Sequence, residues 1–300
     1  MKKLTLNGIF PPLTTPFGND KVSLKHFANN INKLNSTNLS GYVVLGSNGE
    51  SCFLTREEKL LLINEAKKQA GKNKIIISGT GSDSILETIS LTNDAANVGT
   101  DVALILTPSF FKGSMNHEAL LEYFITVADK IKIPLLIYNV PKFTNVTIEP
   151  RTVEELSKHK NIIGIKSSST DIAYLGEILN SVSSEFNVIA GTASILYAGL
   201  CLGASGGILA CANILPNECV KVYDLYKADK FDESRLWQNK LLSVNKAVTA
   251  TFGVAGLKKA MDLLGFYGGL PRSPLQELNA NAEEKLKQIL IQENFLKDKT

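Results

Sequence analysis

Residues that commonly bind metals are scarce in this chain, which has four cysteines and three histidines among 300 residues. There is no Cys-x-x-Cys pair, and His26, His117 and His159 each lie in a polar segment typical of a helix. A structural zinc site or a histidine-based catalytic triad is therefore not expected. Cys201 and Cys211 lie among small apolar residues, which predicts reduced cysteines in the core.

Long hydrophobic runs and an excess of one charge are absent as well. No run approaches the ~20 apolar residues of a membrane helix, and the N-terminal sequence MKKLTLNGIFPPL lacks the long apolar segment of a secretory signal. Lysine and arginine number 32 against 29 acidic residues, which leaves a net charge of +3 and no dense basic block. We therefore expect a cytoplasmic protein without a nucleic-acid or membrane partner.

What the chain does contain is an alternation of short apolar runs with amphipathic stretches. Each run is apolar at consecutive positions, which is typical of a parallel strand covered on both faces. The intervening residues 55–70 show helical periodicity, and Thr55 with Glu58 fits a capping box at the start of that helix. The eight runs are residues 8–15, 41–46, 74–81, 101–108, 134–140, 161–166, 187–191 and 206–213.

Eight strand–helix units predict an α/β fold, a (β/α)8 TIM barrel with a C-terminal helical extension. The alternative, an open doubly wound sheet, would carry a glycine-rich nucleotide fingerprint after its first strand, and none is present. We place the barrel and its active site in residues 1–226 and the helical region in residues 227–300. The C-terminal helices are predicted within residues 219–248, 255–266 and 281–295.

Active sites of such barrels lie at the carboxyl ends of the strands, where Lys166 ends the sixth strand and Tyr138 the fifth. Burial at the barrel mouth favours the neutral amine of a lysine, which can attack a ketone and form a Schiff base. A tyrosine hydroxyl beside it can move protons to and from the substrate. The positions alone equally allow a solvated lysine and a tyrosine whose hydroxyl faces water.

The second strand ends in GSNGE, residues 46–50, in which two glycines flank Ser47 and Asn48. Glycines allow a tight turn that presents backbone N–H groups and short side chains together. Such a turn can bind a small carboxylate, although the same residues also build an ordinary turn between a strand and a helix. Combined with Lys166 and Tyr138, the turn predicts a pocket for a 2-oxo acid such as pyruvate.

An ordered set of motifs resembles the family of pyruvate-dependent class I aldolases that contains dihydrodipicolinate synthase and N-acetylneuraminate lyase. The motifs are GSNGE (46–50), TP (107–108), YNVP (138–141), GIK (164–166) and GASGGILACAN (203–213). Within the family, the chain resembles the 4-hydroxy-2-oxoglutarate aldolase branch most. Besides GSNGE, the motifs for that branch are PPLTTPF (11–17), FGVAGLKKAMD (252–262), GFYGG (265–269) and PRSPLQEL (271–278).

The resemblance implies a class I carbon–carbon lyase that needs no metal or organic cofactor, because a lysine Schiff base serves as the electron sink. Lys166 would form this Schiff base and Tyr138 would relay protons. The implied partners are pyruvate and an aldehyde or hydroxy-2-oxo acid, and the implied assembly is a homotetramer, a dimer of dimers. The expected substrate-binding residues are Ser47, Asn48, Ile208 through its backbone, Ser168, which matches the hydroxy-oxoglutarate branch, and Gly191 at the end of the seventh strand.

Two positions depart from the family pattern. Phe110 stands where many members carry a tyrosine that completes a proton relay across a dimer, so water replaces that hydroxyl or the relay is lost. Phe143 stands where dihydrodipicolinate synthase carries an arginine for the distal carboxylate of aspartate semialdehyde. A phenyl ring cannot replace a bidentate guanidinium. Lys112 or Lys142 would then have to supply the positive charge.

These observations lead to one main hypothesis and several alternatives. The main one is cleavage or formation of the carbon–carbon bond next to pyruvate, as in 4-hydroxy-2-oxoglutarate aldolase. The alternatives are a condensation like that of dihydrodipicolinate synthase, a sugar-acid (2-keto-3-deoxy acid) aldolase or dehydratase, and a non-catalytic barrel that binds 2-oxo acids. The sequence supports the reaction class better than it supports any particular acceptor.

Overall fold

Eight parallel β-strands form a nearly closed barrel in the structure, a computed structural model that describes residues 4–297. The barrel strands are β1 (Gly8–Phe10), β4 (Gly41–Val44), β5 (Ile75–Gly79), β6 (Val102–Leu106), β7 (Leu135–Asn139), β8 (Ile162–Ser167), β9 (Asn187–Ala190) and β10 (Gly206–Ile208), and a small hairpin of β2 (Phe17–Gly18) and β3 (Lys21–Val22) follows β1. The neighbours run β1-β10-β9-β8-β7-β6-β5-β4. The backbone N–H of Leu13 donates to Val43 O at 2.8 Å, which brings the two ends of the sheet together.

Helices follow the strands and cover the outside of the barrel, which confirms the predicted TIM barrel with a C-terminal helical extension. The helix predicted from Thr55 has its capping box: Glu58 N donates to Thr55 Oγ1 at 3.3 Å and Thr55 N to Glu58 Oε2 at 3.0 Å. The helices around the barrel are α1 (Leu24–Leu34), α2 (Arg56–Gln69), α3 (Ile85–Asn97), α4 (His117–Lys130), α5 (Pro141–Thr144), α6 (Pro150–Ser157), α7 (Ile172–Ser181) and α8 (Leu196–Leu202). The C-terminal ones are α9 (Pro216–Lys227), α10 (Phe231–Lys246), α11 (Gly253–Leu263) and α12 (Ala280–Gln292).

The strands are apolar at consecutive positions because both of their faces are buried. One set of side chains fills the barrel interior and includes Phe10, Val43, Leu136 and Ile208. The alternate residues pack outward against the helices in a second, larger cluster. Burial on both sides is the arrangement that parallel strands require, since the connecting helices lie over the sheet. The interior is therefore a packed core rather than a pore.

Some predicted strands and helices are too long. The first strand ends at Phe10 rather than residue 15 because the prolines at 11 and 12 have no N–H to donate to a ladder. The last strand ends at Ile208 rather than residue 213 because Ala210–Asn213 forms a 3-10 turn. The run 219–248 contains two helices, α9 and α10, separated at Asp229, whose φ is 59°. The predicted boundary between residues 226 and 227 falls in the last turn of α9 and remains a prediction.

The cysteines divide between the core and the surface. Cys211 is buried as predicted, whereas Cys201 is exposed, and its prediction as a core residue is wrong. Helix α8 buries Leu196, Gly199 and Leu200, the face spaced at three and four residues, so Cys201 lies outside that face.

No helix in the described part of the chain combines the length and apolar character that a bilayer-spanning segment requires.

Candidate functional site

Lys166 and Tyr138 lie side by side at the carboxyl end of the barrel. They are register partners on the neighbouring strands β8 and β7. The Lys166 Nζ lies 4.0 Å from the centroid of the Tyr138 ring, and the two residues are 3% and 6% exposed. The face of an aromatic ring attracts a cation, which holds the lysine in place. The structure thus brings together the two residues that the sequence selects as a candidate catalytic pair.

The turn after β4 brings Ser47 to the same place. Ser47–Gly49 forms a 3-10 turn, and Ser47 Oγ lies 3.4 Å from the hydroxyl of Tyr138. Asn48 follows on this turn, and both polar residues are half-buried. The predicted carboxylate turn is therefore adjacent to the predicted amine, which is the arrangement needed to hold a 2-oxo acid by both of its functional groups.

The residues on either side of this turn have strained backbone conformations. Leu45 and Glu50, on either side of it, have φ values of 61° and 55°, in the left-handed region that residues with a Cβ rarely adopt. The Thr15 hydroxyl donates to the carbonyl of Gly49 at 2.7 Å and so fixes the turn from the segment between β1 and β2. Strained non-glycine residues persist where the surroundings enforce them, and they are common at functional sites.

The remaining predicted binding residues lie at the ends of the next strands. Ser168 follows β8, and its polar side chain is among the groups that lower the pKa of Tyr138. Gly191 follows β9, and a Cβ added there would lie 2.4 Å from Ser168 Oγ, so only glycine fits beside this serine. Ile208 ends β10, with its side chain in the interior cluster that also contains Tyr138. All the sequence-selected site residues thus lie at strand ends on one side of the barrel.

The environment of Tyr138 makes its hydroxyl a better acid. Burial alone raises the pKa of a phenol. Here the positive charge of Lys166 and the polar side chains of Ser47 and Ser168 outweigh burial, so the pKa of Tyr138 lies below its usual value. A tyrosine with a lowered pKa exchanges its proton more readily near neutral pH, as a proton relay requires.

Lys166→Met tests this account of the Tyr138 hydroxyl. Removal of the ammonium leaves burial as the dominant influence, so we expect the pKa of Tyr138 to rise above the ordinary tyrosine value of about 10. The measurement is an ultraviolet titration of tyrosinate, in which Tyr138→Phe identifies the Tyr138 contribution. A Tyr138 pKa that is the same with and without the lysine charge would contradict this account.

The two departures from the family pattern lie on the surface. Phe110 is 79% exposed and packs edge-on against Phe111, with ring centroids 5.0 Å apart. Phe143, in the short helix α5, is 59% exposed. Lys142 donates to the carbonyl of Thr249 at 3.0 Å and is thereby tied to the C-terminal region. Neither phenylalanine therefore supplies a polar group to the site.

Sequence reasoning missed a buried ion pair behind the carboxylate turn. Glu50 Oε1 lies 2.5 Å from Lys258 Nζ, and both side chains are 0% exposed. Burial lowers the pKa of Lys258, and the charge and hydrogen bond of Glu50 partly offset this effect. The sequence signal is that Glu50 closes GSNGE and that Lys258 lies in FGVAGLKKAMD, and no role was assigned to either of these two residues from the sequence.

Comparison with known proteins identifies the family. Residues 5–293 match the Dihydrodipicolinate synthetase family. The chain belongs to the dihydrodipicolinate synthase family. It is 33% identical over 288 residues to a 4-hydroxy-tetrahydrodipicolinate synthase of Methanoculleus marisnigri, covering 95% of this chain and 98% of that protein. It is 32% identical over 292 residues to a synthase of the same name from Methanococcus aeolicus, covering 97% and 100%.

Solved structures of the dihydrodipicolinate synthase family share the fold. The dihydrodipicolinate synthase of Aquifex aeolicus has a TM-score of 0.92 and 31% identity, covering 98% of this chain and 100% of that one. A prophage protein of the family from E. coli K12, in complex with pyruvate, has a TM-score of 0.91 and 27% identity, covering 96% and 99%. These relatives give no support to the predicted closeness to 4-hydroxy-2-oxoglutarate aldolase, because the two matched by sequence are named as synthases.

Proposed function

We propose that the protein forms or breaks the carbon–carbon bond next to pyruvate through an imine on Lys166. The observation that carries the proposal is the buried Lys166 amine, 4.0 Å from the Tyr138 ring, with Ser47 Oγ 3.4 Å from the Tyr138 hydroxyl. An amine, a proton relay and a carboxylate turn are the groups that imine chemistry on a 2-oxo acid requires. The buried amine is the proposed nucleophile, the adjacent hydroxyl is the proposed proton relay, and the turn is the proposed carboxylate site.

In the proposed reaction the Lys166 ammonium first gives a proton to the neighbouring Tyr138 oxygen. The resulting amine attacks C2 of pyruvate, and water leaves as the protonated imine forms. Loss of a proton from C3 gives an enamine, whose C3 then attacks the aldehyde carbon to form the new bond. Hydrolysis of the resulting imine releases the product and the amine. Tyr138 donates and accepts protons in these steps, and the Ser47–Asn48 turn holds the carboxylate, with the backbone of Ile208 and Gly191 lining the pocket.

For the acceptor, the relatives favour a condensation like that of dihydrodipicolinate synthase over the cleavage that the sequence motifs favoured. Cleavage of 4-hydroxy-2-oxoglutarate remains the second candidate because Ser168, which matches that branch, follows the end of β8 and lowers the pKa of Tyr138. Sugar-acid chemistry would use the same imine. A homotetramer, as in the family, also remains a prediction.

The test is to supply pyruvate with aspartate semialdehyde and, separately, to supply 4-hydroxy-2-oxoglutarate, and to identify the products. Condensation in the first assay supports the synthase-like function, and release of pyruvate and an aldehyde in the second supports the lyase. A dehydratase would keep the carbon chain of a sugar acid whole. If pyruvate binds while no acceptor or oxo acid reacts, the barrel is a binding protein and the proposal is wrong.

Phe143→Arg tests whether the missing guanidinium limits the acceptor. An arginine at this position can pair with a carboxylate through two hydrogen bonds, so we expect kcat/KM for aspartate semialdehyde to rise about tenfold. Phe111→Arg, which adds the same charge to another exposed phenylalanine, is the matched control and should change it little. Equal effects of both substitutions would show that only net charge matters.

A further inference from the structure

The C-terminal region contacts the residue that ends the carboxylate turn. Glu50, which ends the turn, uses both carboxylate oxygens: Oε1 lies 2.5 Å from Lys258 Nζ, and Oε2 accepts a hydrogen bond from Arg272 N at 2.7 Å. Lys258 lies on α11, and Arg272 lies in the loop between α11 and α12. A single carboxylate therefore joins the turn after β4 to two separate parts of the C-terminal region.

Further contacts fix the neighbouring backbone. Arg272 Nη1 donates to the carbonyl of Phe53 at 2.9 Å, in the turn that follows Glu50. The same guanidinium forms two hydrogen bonds of 2.7 Å with the carboxylate of Glu58, in the first turn of α2. The aromatic ring of Phe17 lies 4.5 Å from Lys258 Nζ and 4.3 Å from Arg272 Cζ. The whole stretch from the turn to helix α2 is thus held by the C-terminal region.

Stability alone does not explain a buried ion pair at this position. Burial removes both charges from water, and apolar residues of the same volume often stabilise a fold equally well or better. Geometry offers a better reason, because Glu50 holds a left-handed φ of 55° that a residue with a Cβ adopts only under constraint. Its side chain pairs with Lys258 and with the backbone N–H of Arg272, and these contacts can hold such a conformation in place.

We propose that Glu50, Lys258 and Arg272 are positioning residues through which the C-terminal region fixes the Ser47–Asn48 turn in the shape that binds a carboxylate. The inference rests on the proposed function, since the carboxylate in question is that of pyruvate. It assigns the helical extension an indirect part in substrate recognition, through the position of the turn. It also predicts that loosening the contact weakens carboxylate recognition while leaving the reactivity of the Lys166 amine intact.

The test compares pyruvate with its uncharged methyl ester as the ketone trapped on Lys166 by borohydride. The variant is Glu50→Gln with Lys258→Met, which removes both charges together and so leaves no lone buried ion. We expect the concentration of pyruvate that gives half-maximal trapping to rise about tenfold, the loss expected for weakened charge-assisted hydrogen bonds. Methyl pyruvate makes no such bonds, so its half-maximal concentration should change by less than about twofold.

Two further variants make the test decisive. Lys259→Met with Glu283→Gln removes the adjacent ion pair on α11 and α12, which is 2.7 Å long and partly exposed, and should leave pyruvate trapping unchanged. Arg272→Met removes the hydrogen bond to the carbonyl of Phe53, and the Arg272 side chain is more exposed than that of Glu50 or Lys258. We expect this variant also to raise the half-maximal concentration of pyruvate, so it provides the test if the double variant fails to fold.

The outcomes separate the two proposals. A ratio of pyruvate to methyl pyruvate trapping that stays the same in both anchor variants, Glu50→Gln/Lys258→Met and Arg272→Met, would overturn the positioning role and leave the imine chemistry in place. A lack of any adduct on Lys166 in the unaltered protein would instead overturn the proposed function, and the inference with it. A selective loss of pyruvate trapping in either anchor variant, with the Lys259/Glu283 control unchanged, supports the inference.

Discussion

Replacement of Lys166 by Ala is expected to lower the rate of any pyruvate-dependent reaction by at least about 10³-fold, because it removes the amine to which the imine is assigned. The barrel should still fold, since removing a buried amine also removes the cost of its desolvation. Steady-state kinetics with pyruvate measure the first effect, and circular dichroism with thermal unfolding measures the second.

Lys166→Met controls for the volume that Ala would leave empty. Methionine fills much of the space of the lysine side chain without an amine, so it should be as inactive as the Ala variant and at least as stable. Substantial turnover in either folded variant would exclude Lys166 as the nucleophile. Inactivity accompanied by unfolding in both variants would show that the side chain is needed for structure. We do not expect this result, because the contact of Lys166 with the Tyr138 ring is only one of the contacts of that ring.

Tyr138→Phe is expected to lower kcat by about 10² to 10⁴-fold, the usual contribution of a positioned proton donor and acceptor. The phenyl ring keeps the contact with Lys166 and loses only the hydroxyl next to Ser47 and Ser168. Imine formation should therefore persist but become slow. Stopped-flow measurement of imine formation and steady-state turnover distinguish these steps.

Tyr42→Phe is the matched control for this substitution. Tyr42 is a buried tyrosine on β4, and its hydroxyl bonds to Asn35 Oδ1 at 2.8 Å, away from the candidate site. Loss of that hydroxyl should affect stability and leave kcat unchanged. If Tyr138→Phe lowers kcat no more than Tyr42→Phe does, Tyr138 has no part in proton transfer and the relay must lie elsewhere.

Local sequence signals predicted the fold because each strand and helix has a recognisable residue pattern of its own. Consecutive apolar residues indicate strands buried on both faces, and Thr55 with Glu58 indicates the start of a helix. The same logic located Lys166 and Tyr138, since parallel strands bring all their carboxyl ends to one side. Strand lengths were overestimated where prolines and a 3-10 turn interrupt the ladder, because apolar composition continues past the last hydrogen bond.

Contacts between distant segments were beyond this reasoning. The pairing of Glu50 with Lys258 depends on where α11 packs after the barrel has closed, and no local periodicity records that position. The exposure of Phe110 and Phe143 likewise depends on loop paths rather than on residue type. Composition also misplaced Cys201, because the buried face of α8 consists of Leu196, Gly199 and Leu200 and does not include it.

The most direct test of the account is reduction with borohydride in the presence of pyruvate, followed by peptide mass mapping of the protein. We expect one stable adduct, on Lys166, absent when pyruvate is omitted and absent in Lys166→Met. This result would establish that the lysine at the end of β8 is the nucleophile. A folded protein that shows no adduct on Lys166 would contradict the proposed chemistry, and Lys166 would then be only a buried charge at the end of a strand.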